Sequence, residues 1–460
     1  MLKKVLFAAA ALQAQALAQN CPSLTAAYPA PSLASGYEAK LVAQNLNKPR
    51  GLIFDNANNL LVVEREVGVT AFKVETSGTC VTLSDKRTVV GDATLNHGIE
   101  LSPDSRTLYA SNPSSVYAYT YSPSTRATTG SPKTLIKGMH TTGQVTRSLL
   151  LSRHSPSKLL VSRGSDENID LSTVDIGTGQ SQIRIFDASK TDVEYTAGTT
   201  LAWGLRNAVG LAEHPVDGGV WSAENNADNL ERDGFRIHEN NPAEELNYHG
   251  VLSSPSQNAL LGANYGFPLC YGVWDANEIP GAGELSVGQQ FAIAEANASR
   301  QDGFCAEARV APRLVWQPHS SPIDVKFDAG GENMYVSLRG SWNRASPVGY
   351  SVSLVAFSPS TFQPLAPPSS TSSLTPIFSN SNTTACPENC FRPAGLAWDR
   401  DGRLYVSSDA TGEIYVITKS GGLPVDGARK GVGNSAPGAV GVSVAGVVLA
   451  ALGTVVVGFL

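Results

Sequence analysis

The strongest structural signal in the chain lies at residues 395–408, which read Gly395-Leu-Ala-Trp-Asp-Arg-Asp-Gly-Arg-Leu-Tyr-Val-Ser-Ser408. A small residue leads into an apolar segment, a polar turn at Asp401-Gly402 and a second apolar segment. Two apolar segments joined by turn-forming residues predict a β-hairpin. Residues 413–418 follow with Glu-Ile-Tyr-Val-Ile-Thr, which predicts a further strand. Two hairpins of this kind make a four-stranded antiparallel sheet.

The same pattern occurs six times along the chain. The copies begin at Gly51, Gly98, Ser148, Gly210, Asp324 and Gly395. The first three starts lie about 50 residues apart, which is close to the repeat length of β-propeller blades. The much longer interval after Gly210 requires an excursion, which we place at the turn-rich residues 225–312. We therefore predict an all-β fold, a six-bladed β-propeller of four-stranded antiparallel blades.

The two ends of the chain do not fit this repeat. Residues 1–18 begin with Lys3 and Lys4, continue with an apolar run and end in Ala16-Leu17-Ala18, which is typical of a signal peptide. A short buried helix is the alternative. The propeller domain is accordingly expected to cover residues 19–425.

The C-terminal residues 426–460 resemble an attachment signal for a glycosylphosphatidylinositol (GPI) anchor. The small triplet Asp426-Gly427-Ala428 precedes a spacer at 429–438 and an uncharged tail at 439–460. Asn434-Ser435-Ala436 is an alternative attachment site. The tail is also long enough to be a plain membrane anchor. The two ends together predict a secreted protein, GPI-anchored to the outer leaflet at the cell surface.

Composition and cysteine content agree with a secreted β-protein. The 460 residues are 42% hydrophobic, too many for a disordered chain, and a net charge of −6 predicts no nucleic-acid partner. Six cysteines, an even number, indicate disulfides, and pairing of sequence neighbours is the simplest arrangement: Cys21–Cys80, Cys270–Cys305 and Cys386–Cys390. A metal cluster is the competing interpretation, but it lacks the usual Cys/His spacing. Glycosylation sequons occur at Asn297 and Asn382.

Cationic residues precede the repeat copies, where the loops of a propeller gather at the channel mouth. These residues are Arg50, His97, Arg147, Arg206, His319 and Arg392. Two polar segments, 224–228 and 339–344, follow the fourth and fifth copies. A ring of cations at equivalent positions predicts a site for a polyanionic ligand. The alternative is that each arginine makes a structural salt bridge between blades.

One segment carries a specific resemblance. Residues 204–211, Gly-Leu-Arg-Asn-Ala-Val-Gly-Leu, resemble the G-x-R-N-x-x-G-L motif of soluble quinoprotein glucose and sorbosone dehydrogenases. Further similarity lies at residues 223–228, 240–248, 264–268, 339–344 and 349–350. Over residues 30–418 the pattern is most similar to fungal pyrroloquinoline-quinone (PQQ)-dependent pyranose dehydrogenases.

The resemblance implies a cofactor, a metal and a reaction. PQQ, which carries three carboxylates, would lie over the channel, and Ca²⁺ would bridge it to the backbone carbonyls of Asn226 and Ala227. The enzyme would oxidise the anomeric hydroxyl of pyranose sugars to lactones and pass electrons to an external acceptor such as a cytochrome or a copper oxygenase. The implied cofactor-binding residues are Arg50, His97, Arg206, Asn207, His319, Arg339, Trp342, Asn343 and Arg392.

The catalytic residues implied are Arg206, at the reactive edge of the cofactor, and a histidine base. In the family this histidine lies three or four residues before an arginine, whereas here Arg147 is preceded by Gln144-Val145-Thr146. The nearest histidine is His140, which becomes the predicted base if the loop is longer. Otherwise Gln144 takes its place, and His97 or His319 could serve instead.

Two other functions remain open at this point. A calcium-dependent sugar lactonase also uses a six-bladed propeller, and it would need carboxylates such as Glu224 and Asp228 around its metal. A non-catalytic propeller that binds carbohydrates or partners at the cell surface is the other alternative.

Overall fold

The computed structural model describes residue 21 and residues 23–253, 258–293 and 302–429, and most of them form six small sheets. We number these sheets as blades 1–6 in the chain order of the strand that begins each repeat copy, and we call that strand the first strand of its blade. Blade 1 contains Pro49–Phe54, Asn59–Glu64, Gly68–Ser77 and Cys80–Val90; blade 2 contains Ile99–Leu101, Thr107–Ser111, Val116–Ser122, Ala127–Lys137 and Val193–Glu194; blade 3 contains Leu149–Leu151, Lys158–Arg163, Gln182–Asp187, Thr199–Trp203 and Ala263–Asn264. Blade 4 contains Ala208–Glu213, Gly219–Glu224, Glu244–Val251 and Leu314–Trp316; blade 5 contains Pro322–Phe327, Asn333–Leu338, Ser351–Ala356, Thr375–Ser379 and Ser32–Leu33; blade 6 contains Pro393–Trp398, Leu404–Ser408, Glu413–Lys419 and Tyr37–Ala43.

The blades form a closed ring. The first strand of each blade contacts the first strands of the two neighbouring blades, and blade 6 contacts blade 1. Six apolar clusters fill the six interfaces between neighbouring blades. For example, Leu52 and Phe54 of blade 1 pack with Ala397 and Tyr405 of blade 6. The predicted six-bladed propeller is confirmed.

Several details differ from the expected four-stranded blades and single excursion. Blades 2, 3 and 5 each carry a short fifth strand. The fourth strand of blade 6 is Tyr37–Ala43, which pairs antiparallel with Glu413–Lys419 and so joins the two ends of the domain. Placing one excursion at 225–312 was wrong in part, because Glu244–Val251 within it is the third strand of blade 4. Its flanking segments form two hairpins, Glu231–Arg232 with Phe235–Arg236 and Cys270–Gly272 with Gln290–Ala292, and the helix Asp302–Ala308.

The small residue at the start of a repeat copy is explained by close contact between neighbouring blades. A Cβ on Gly51 would lie 2.2 Å from the carbonyl oxygen of His97, and one on Gly98 would lie 2.2 Å from that of Arg147. Each glycine therefore lets its blade approach the backbone just before the next blade. A serine at or next to the end of the second strand strengthens the same contact, since Ser111 Oγ donates to Arg147 O at 2.6 Å and Ser407 Oγ donates to Arg50 O at 2.8 Å.

Gly395→Ala is expected to lower the free energy of unfolding by about 1–3 kcal/mol, because the new methyl would overpack the contact between blades 6 and 1. Its Cβ would lie 2.0 Å from the carbonyl oxygen of Arg50, an atom of the backbone that cannot turn aside. Urea unfolding of the two proteins measures the difference. Gly330→Ala is the matched control, because the nearest atom to its Cβ is Glu332 Cγ at 3.9 Å. An equal loss in both variants would contradict this account.

The disulfides and chain ends complete the domain. All three predicted pairs, Cys21–Cys80, Cys270–Cys305 and Cys386–Cys390, are confirmed. Asn382 of the second sequon is exposed, whereas Asn297, the signal peptide and the hydrophobic tail lie outside the described residues. Within the residues that are described, no helix is both long and apolar enough to span a membrane.

Candidate functional site

A cavity of about 360 Å³, which we call the inner cavity, lies where loops from the first strands converge. Its wall is made largely of residues that directly precede or follow the first two strands of a blade, as expected for the channel mouth. The lining residues are Arg50, Gln144, Thr146, Arg206, Asn207, Val209, Asn225, Asn226, Asp228, Glu244, His319, Ser321, Ile323, Arg339 and Trp342. The volume falls in the range of small-molecule and cofactor sites.

Two arginines share one carboxylate at this wall, and a third arginine binds the backbone beside them. Arg50 Nη1 donates to Asp409 Oδ2 at 2.7 Å, and Arg339 Nε donates to the two oxygens of Asp409 at 2.9 and 2.8 Å. Arg392 donates to the carbonyl oxygens of Arg339 and Gly340. Burial, followed by the charge of Arg339, lowers the pKa of Arg392 to about 10.

The charges in this cluster, defined as Arg50, Arg339, Arg392 and Asp409, do not balance. Burial favours the neutral form of Asp409, but the charges of Arg50 and Arg339 outweigh it and lower the pKa of this carboxyl. Burial lowers the pKa of Arg50, and the charge of Arg339 adds to the effect. The guanidinium groups of Arg50 and Arg339 thus share one carboxylate, with the charge of Arg392 nearby, and the excess positive charge suits an anionic ligand.

His97 supports this cluster from outside the cavity. Arg50 Nε donates to His97 Nδ1 at 3.2 Å. Burial, together with the charge of Arg50, holds the pKa of His97 well below its ordinary value, so the ring is a neutral hydrogen-bond acceptor. The structure therefore places His97 behind Arg50 rather than at the cavity surface.

A second group of predicted residues lies on the wall contributed by blade 4. The Arg206 guanidinium donates from Nη1 to Asn226 O at 2.7 Å and from Nη2 to Asn168 Oδ1 at 2.9 Å. Asn207 Nδ2 donates to Gln144 Oε1 at 3.1 Å. Ala227 is fully buried beside Asn226.

Glu244 is a site residue that sequence reasoning missed. It lines the cavity and anchors the Asn226 loop, since its Oε2 accepts the Asn226 N–H at 2.7 Å. Burial raises the pKa of Glu244 to about 7. The signal that could have found it is the acidic pair Glu244-Glu245 at the start of a buried strand, where carboxylates are rare without a role.

Asp228, His238 and His319 bring three potential metal ligands within 4.8 Å of one another. His238, however, already uses both ring nitrogens, because Nδ1 accepts the Asn229 N–H and Nε2 donates to Asn343 O. His319 and Asp228 remain as a pair on the cavity wall, with 3.3 Å between Nδ1 and Oδ1.

The His319 ring is held in a defined orientation. Nε2 lies 2.7 Å from the carbonyl oxygen of His238, so this nitrogen carries hydrogen and Nδ1 faces Asp228. Burial alone would lower the pKa of His319, but its hydrogen bond with Asp228 and the charge of Glu244 together raise it. His319 also has left-handed backbone (φ 64°), which for a residue other than glycine is a feature of functional sites.

The loop before blade 3 places Gln144, and not His140, at the cavity. The imidazole of His140 is 63% exposed and pairs with Asp166 at 3.2 Å. Buried Arg147 donates to the carbonyl oxygens of His140, Gln144 and Thr146. Arg147 thus organises this loop and does not line the cavity.

The two remaining predicted cofactor-binding residues are Trp342 and Asn343. The Trp342 side chain is largely exposed and lines the cavity. Asn343 Nδ2 donates to Asp228 Oδ1 at 3.1 Å, so it supports the pair of Asp228 and His319.

Asp409 is another site residue that was not predicted from the sequence. It directly follows the second strand of blade 6, the position that Arg339 occupies in blade 5.

Comparison with known proteins places the chain in a family. Residues 31–420 match the family described as TrAA12-like. The chain is 42% identical over 412 residues to a pyrroloquinoline quinone-dependent sugar dehydrogenase of Hypocrea jecorina, covering 88% of this chain and 93% of that protein. It is 36% identical over 422 residues to a pyrroloquinoline quinone-dependent pyranose dehydrogenase of Coprinopsis cinerea, covering 88% of this chain and 56% of that longer protein.

A solved structure of a family AA12 enzyme is also similar to this chain. The calcium structure of the Trichoderma reesei carbohydrate-active enzyme of family AA12 superposes with a TM-score of 0.84 at 43% identity, over 87% of this chain and 99% of the other. The family match at residues 31–420 includes the strands of all six blades and the residues that line the inner cavity. The chain belongs to the TrAA12-like family.

Proposed function

We propose that the protein is a PQQ- and Ca²⁺-dependent dehydrogenase that oxidises the anomeric hydroxyl of pyranose sugars to lactones. The observation that carries this proposal is that Arg50 and Arg339, both on the wall of the inner cavity, share the single carboxylate of Asp409, while Arg392 adds a third positive charge beside them. PQQ-dependent sugar and pyranose dehydrogenases among the relatives support the same activity.

The residues of the inner cavity fit both groups. The unbalanced arginine cluster suits a tricarboxylate, and the exposed indole of Trp342 offers a flat apolar surface to an aromatic ring system. Main-chain oxygens suit Ca²⁺, which takes oxygen ligands. The proposed ligands are the carbonyls of Asn226, which lines the cavity, and of Ala227 next to it. Ca²⁺ would replace Arg206 as the partner of Asn226 O.

The protein contributes charge and proton transfer to the reaction. PQQ, when bound with Ca²⁺, supplies the two-electron acceptor. Arg206 and Asn207 lie on the cavity wall as hydrogen-bond donors, where fixed dipoles stabilise developing negative charge. We assign the base to His319 acting together with Asp228, since both line the cavity and the pair, with 3.3 Å between Nδ1 and Oδ1, can take up the hydroxyl proton. Asp228 then stabilises the protonated ring.

Reconstitution tests this function. Adding PQQ and Ca²⁺ to the purified protein is expected to give bound-quinone absorbance and dye reduction that depends on added pyranose. An unchanged spectrum would overturn the proposal. Quinone binding without dye reduction would support the non-catalytic alternative, and lactone hydrolysis with Ca²⁺ alone would support the lactonase.

We also propose that the protein is secreted, anchored at the cell surface and reoxidised by an external acceptor, such as a cytochrome or a copper oxygenase. The three disulfides support secretion. Asp426 is buried, and its N–H donates to Gly402 O while its Oδ2 accepts the Ala329 N–H. Cleavage after Asp426 would remove Arg429, which pairs with the Asp426 carboxylate at 3.0 Å, and would attach the anchor to a buried residue, so Asn434 is the better attachment site. Release of the protein from cells by a phosphatidylinositol-specific phospholipase tests the anchor.

A further inference from the structure

A second and larger pocket, of about 860 Å³, lies beside the inner cavity, and we call it the outer pocket. One wall comes from the hairpin that ends in Phe235–Arg236, and the opposite wall comes from the turn around residues 276–280. The lining residues are Phe235, Arg236, Glu239, Asn277, Glu278, Ile279, Pro280 and Asn343. The volume is sufficient for a ligand of one or two sugar rings.

The chemistry of the outer pocket suits a neutral ligand with many hydroxyl groups. The Phe235 side chain is 65% exposed and gives a flat apolar surface. The carboxylate of Glu239 accepts the Ala345 N–H, and that of Glu278 accepts from Asn240 Nδ2. Each carboxylate can accept further bonds, since it offers about four lone-pair sites. Glu239 also pairs with Arg344 at 3.6 Å, so two carboxylates balance Arg236 and Arg344, which suits a neutral ligand. A pyranose ring is such a ligand, with an apolar C–H face and hydroxyl donors at its edge.

The outer pocket is coupled to the inner cavity through two consecutive residues. Trp342 lines the inner cavity, and Asn343 lines the outer pocket. Asn343 Nδ2 donates to Asp228 Oδ1, and its carbonyl accepts from His238 Nε2. The segment 342–343 is therefore a common wall between the inner cavity and the outer pocket.

We propose that the outer pocket is a subsite for the second pyranose ring of a di- or oligosaccharide whose reducing end occupies the inner cavity. This inference rests on the proposed sugar oxidation. The substrate class then extends from free monosaccharides to soluble oligosaccharides.

Kinetics of the reconstituted holoenzyme test the subsite. The probes are glucose and its α-1,4- and β-1,4-linked di- and trisaccharides, and the quantity compared is the ratio of oligosaccharide to glucose kcat/KM. Phe235→Ala is expected to lower this ratio about fivefold for the preferred linkage, because an aromatic stacking surface is lost. Leu423→Ala, a truncation of another exposed apolar side chain, is the matched control and leaves the ratio unchanged. An unchanged ratio in Phe235→Ala would overturn the subsite.

A binding measurement separates failure of the subsite from failure of the proposed oxidation. Oligosaccharides whose reducing end has been converted to an alditol cannot be oxidised there, and calorimetry reports their binding directly. Weaker binding to Phe235→Ala than to the Leu423→Ala control supports the subsite even if no sugar is turned over. If glucose is turned over but both variants bind the alditols equally, the subsite proposal is wrong and the proposed dehydrogenase activity stands.

Discussion

His319→Asn is expected to lower kcat by about 10²- to 10⁴-fold, because a positioned general base contributes that much to proton transfer. Asparagine tolerates the left-handed backbone found at this position, so the change removes the base while keeping the local fold. Dye-linked turnover by the reconstituted enzyme measures the effect. His140→Asn is the matched control, since its ring is exposed outside the inner cavity. If His140→Asn lost the activity and His319→Asn kept it, the base would be His140, the nearest histidine before Arg147.

The pH dependence gives a second test of the same assignment. A base must be neutral to act, so kcat/KM should fall as the pH drops through the pKa of His319. This pKa lies above the ordinary value of about 6.5. Asp228 and Glu244 face the ring and raise the pKa, while the neighbouring His238 ring packs 4.2 Å away. Asp228→Asn should move the acidic limb to lower pH, and an unmoved limb would contradict the role of this pair.

The repeat pattern was sufficient to predict the propeller because it reflects contacts between blades. Gly395 and Ser407 recur at equivalent positions since both touch the backbone before the next blade. The outer strand of blade 6 could not be predicted in this way. Tyr37–Ala43 is separated from its partner Glu413–Lys419 by nearly the whole domain, and no short-range pattern links them.

The candidate site was predictable only where a residue directly adjoins a repeat. Arg50, Arg206 and Arg339 were found by that rule, and all three line the inner cavity. His319 and Asp228 were noted in the sequence, but their pairing depends on how the excursion within blade 4 folds against the loop before blade 5. His140 was predicted because it is the nearest histidine before Arg147, whereas the family spacing of three or four residues falls at Gln144, a residue that lines the cavity.

Arg339→Met is expected to weaken PQQ binding about 10- to 100-fold, the effect of losing a charge-assisted hydrogen bond to a ligand carboxylate. Arg339 is the better choice than Arg50 because its side chain is 29% exposed, whereas that of Arg50 is 10% exposed. Truncating the more exposed residue leaves Asp409 paired with Arg50 and costs less stability. Titration of the apoprotein with PQQ in saturating Ca²⁺ measures the dissociation constant.

The same titration on Arg392→Met distinguishes an arginine that binds a PQQ carboxylate directly from one that only stabilises the site. Arg392 donates to the carbonyl oxygens of Arg339 and Gly340, so its loss should reduce stability more than cofactor affinity. Arg87→Met, which removes an exposed surface cation paired with Asp85, is the charge control and should change neither quantity. Equal losses of affinity in Arg339→Met and Arg87→Met would show that only net charge matters. A loss confined to Arg339→Met would locate the cofactor carboxylate beside Asp409, where the cavity wall has more cations than anions.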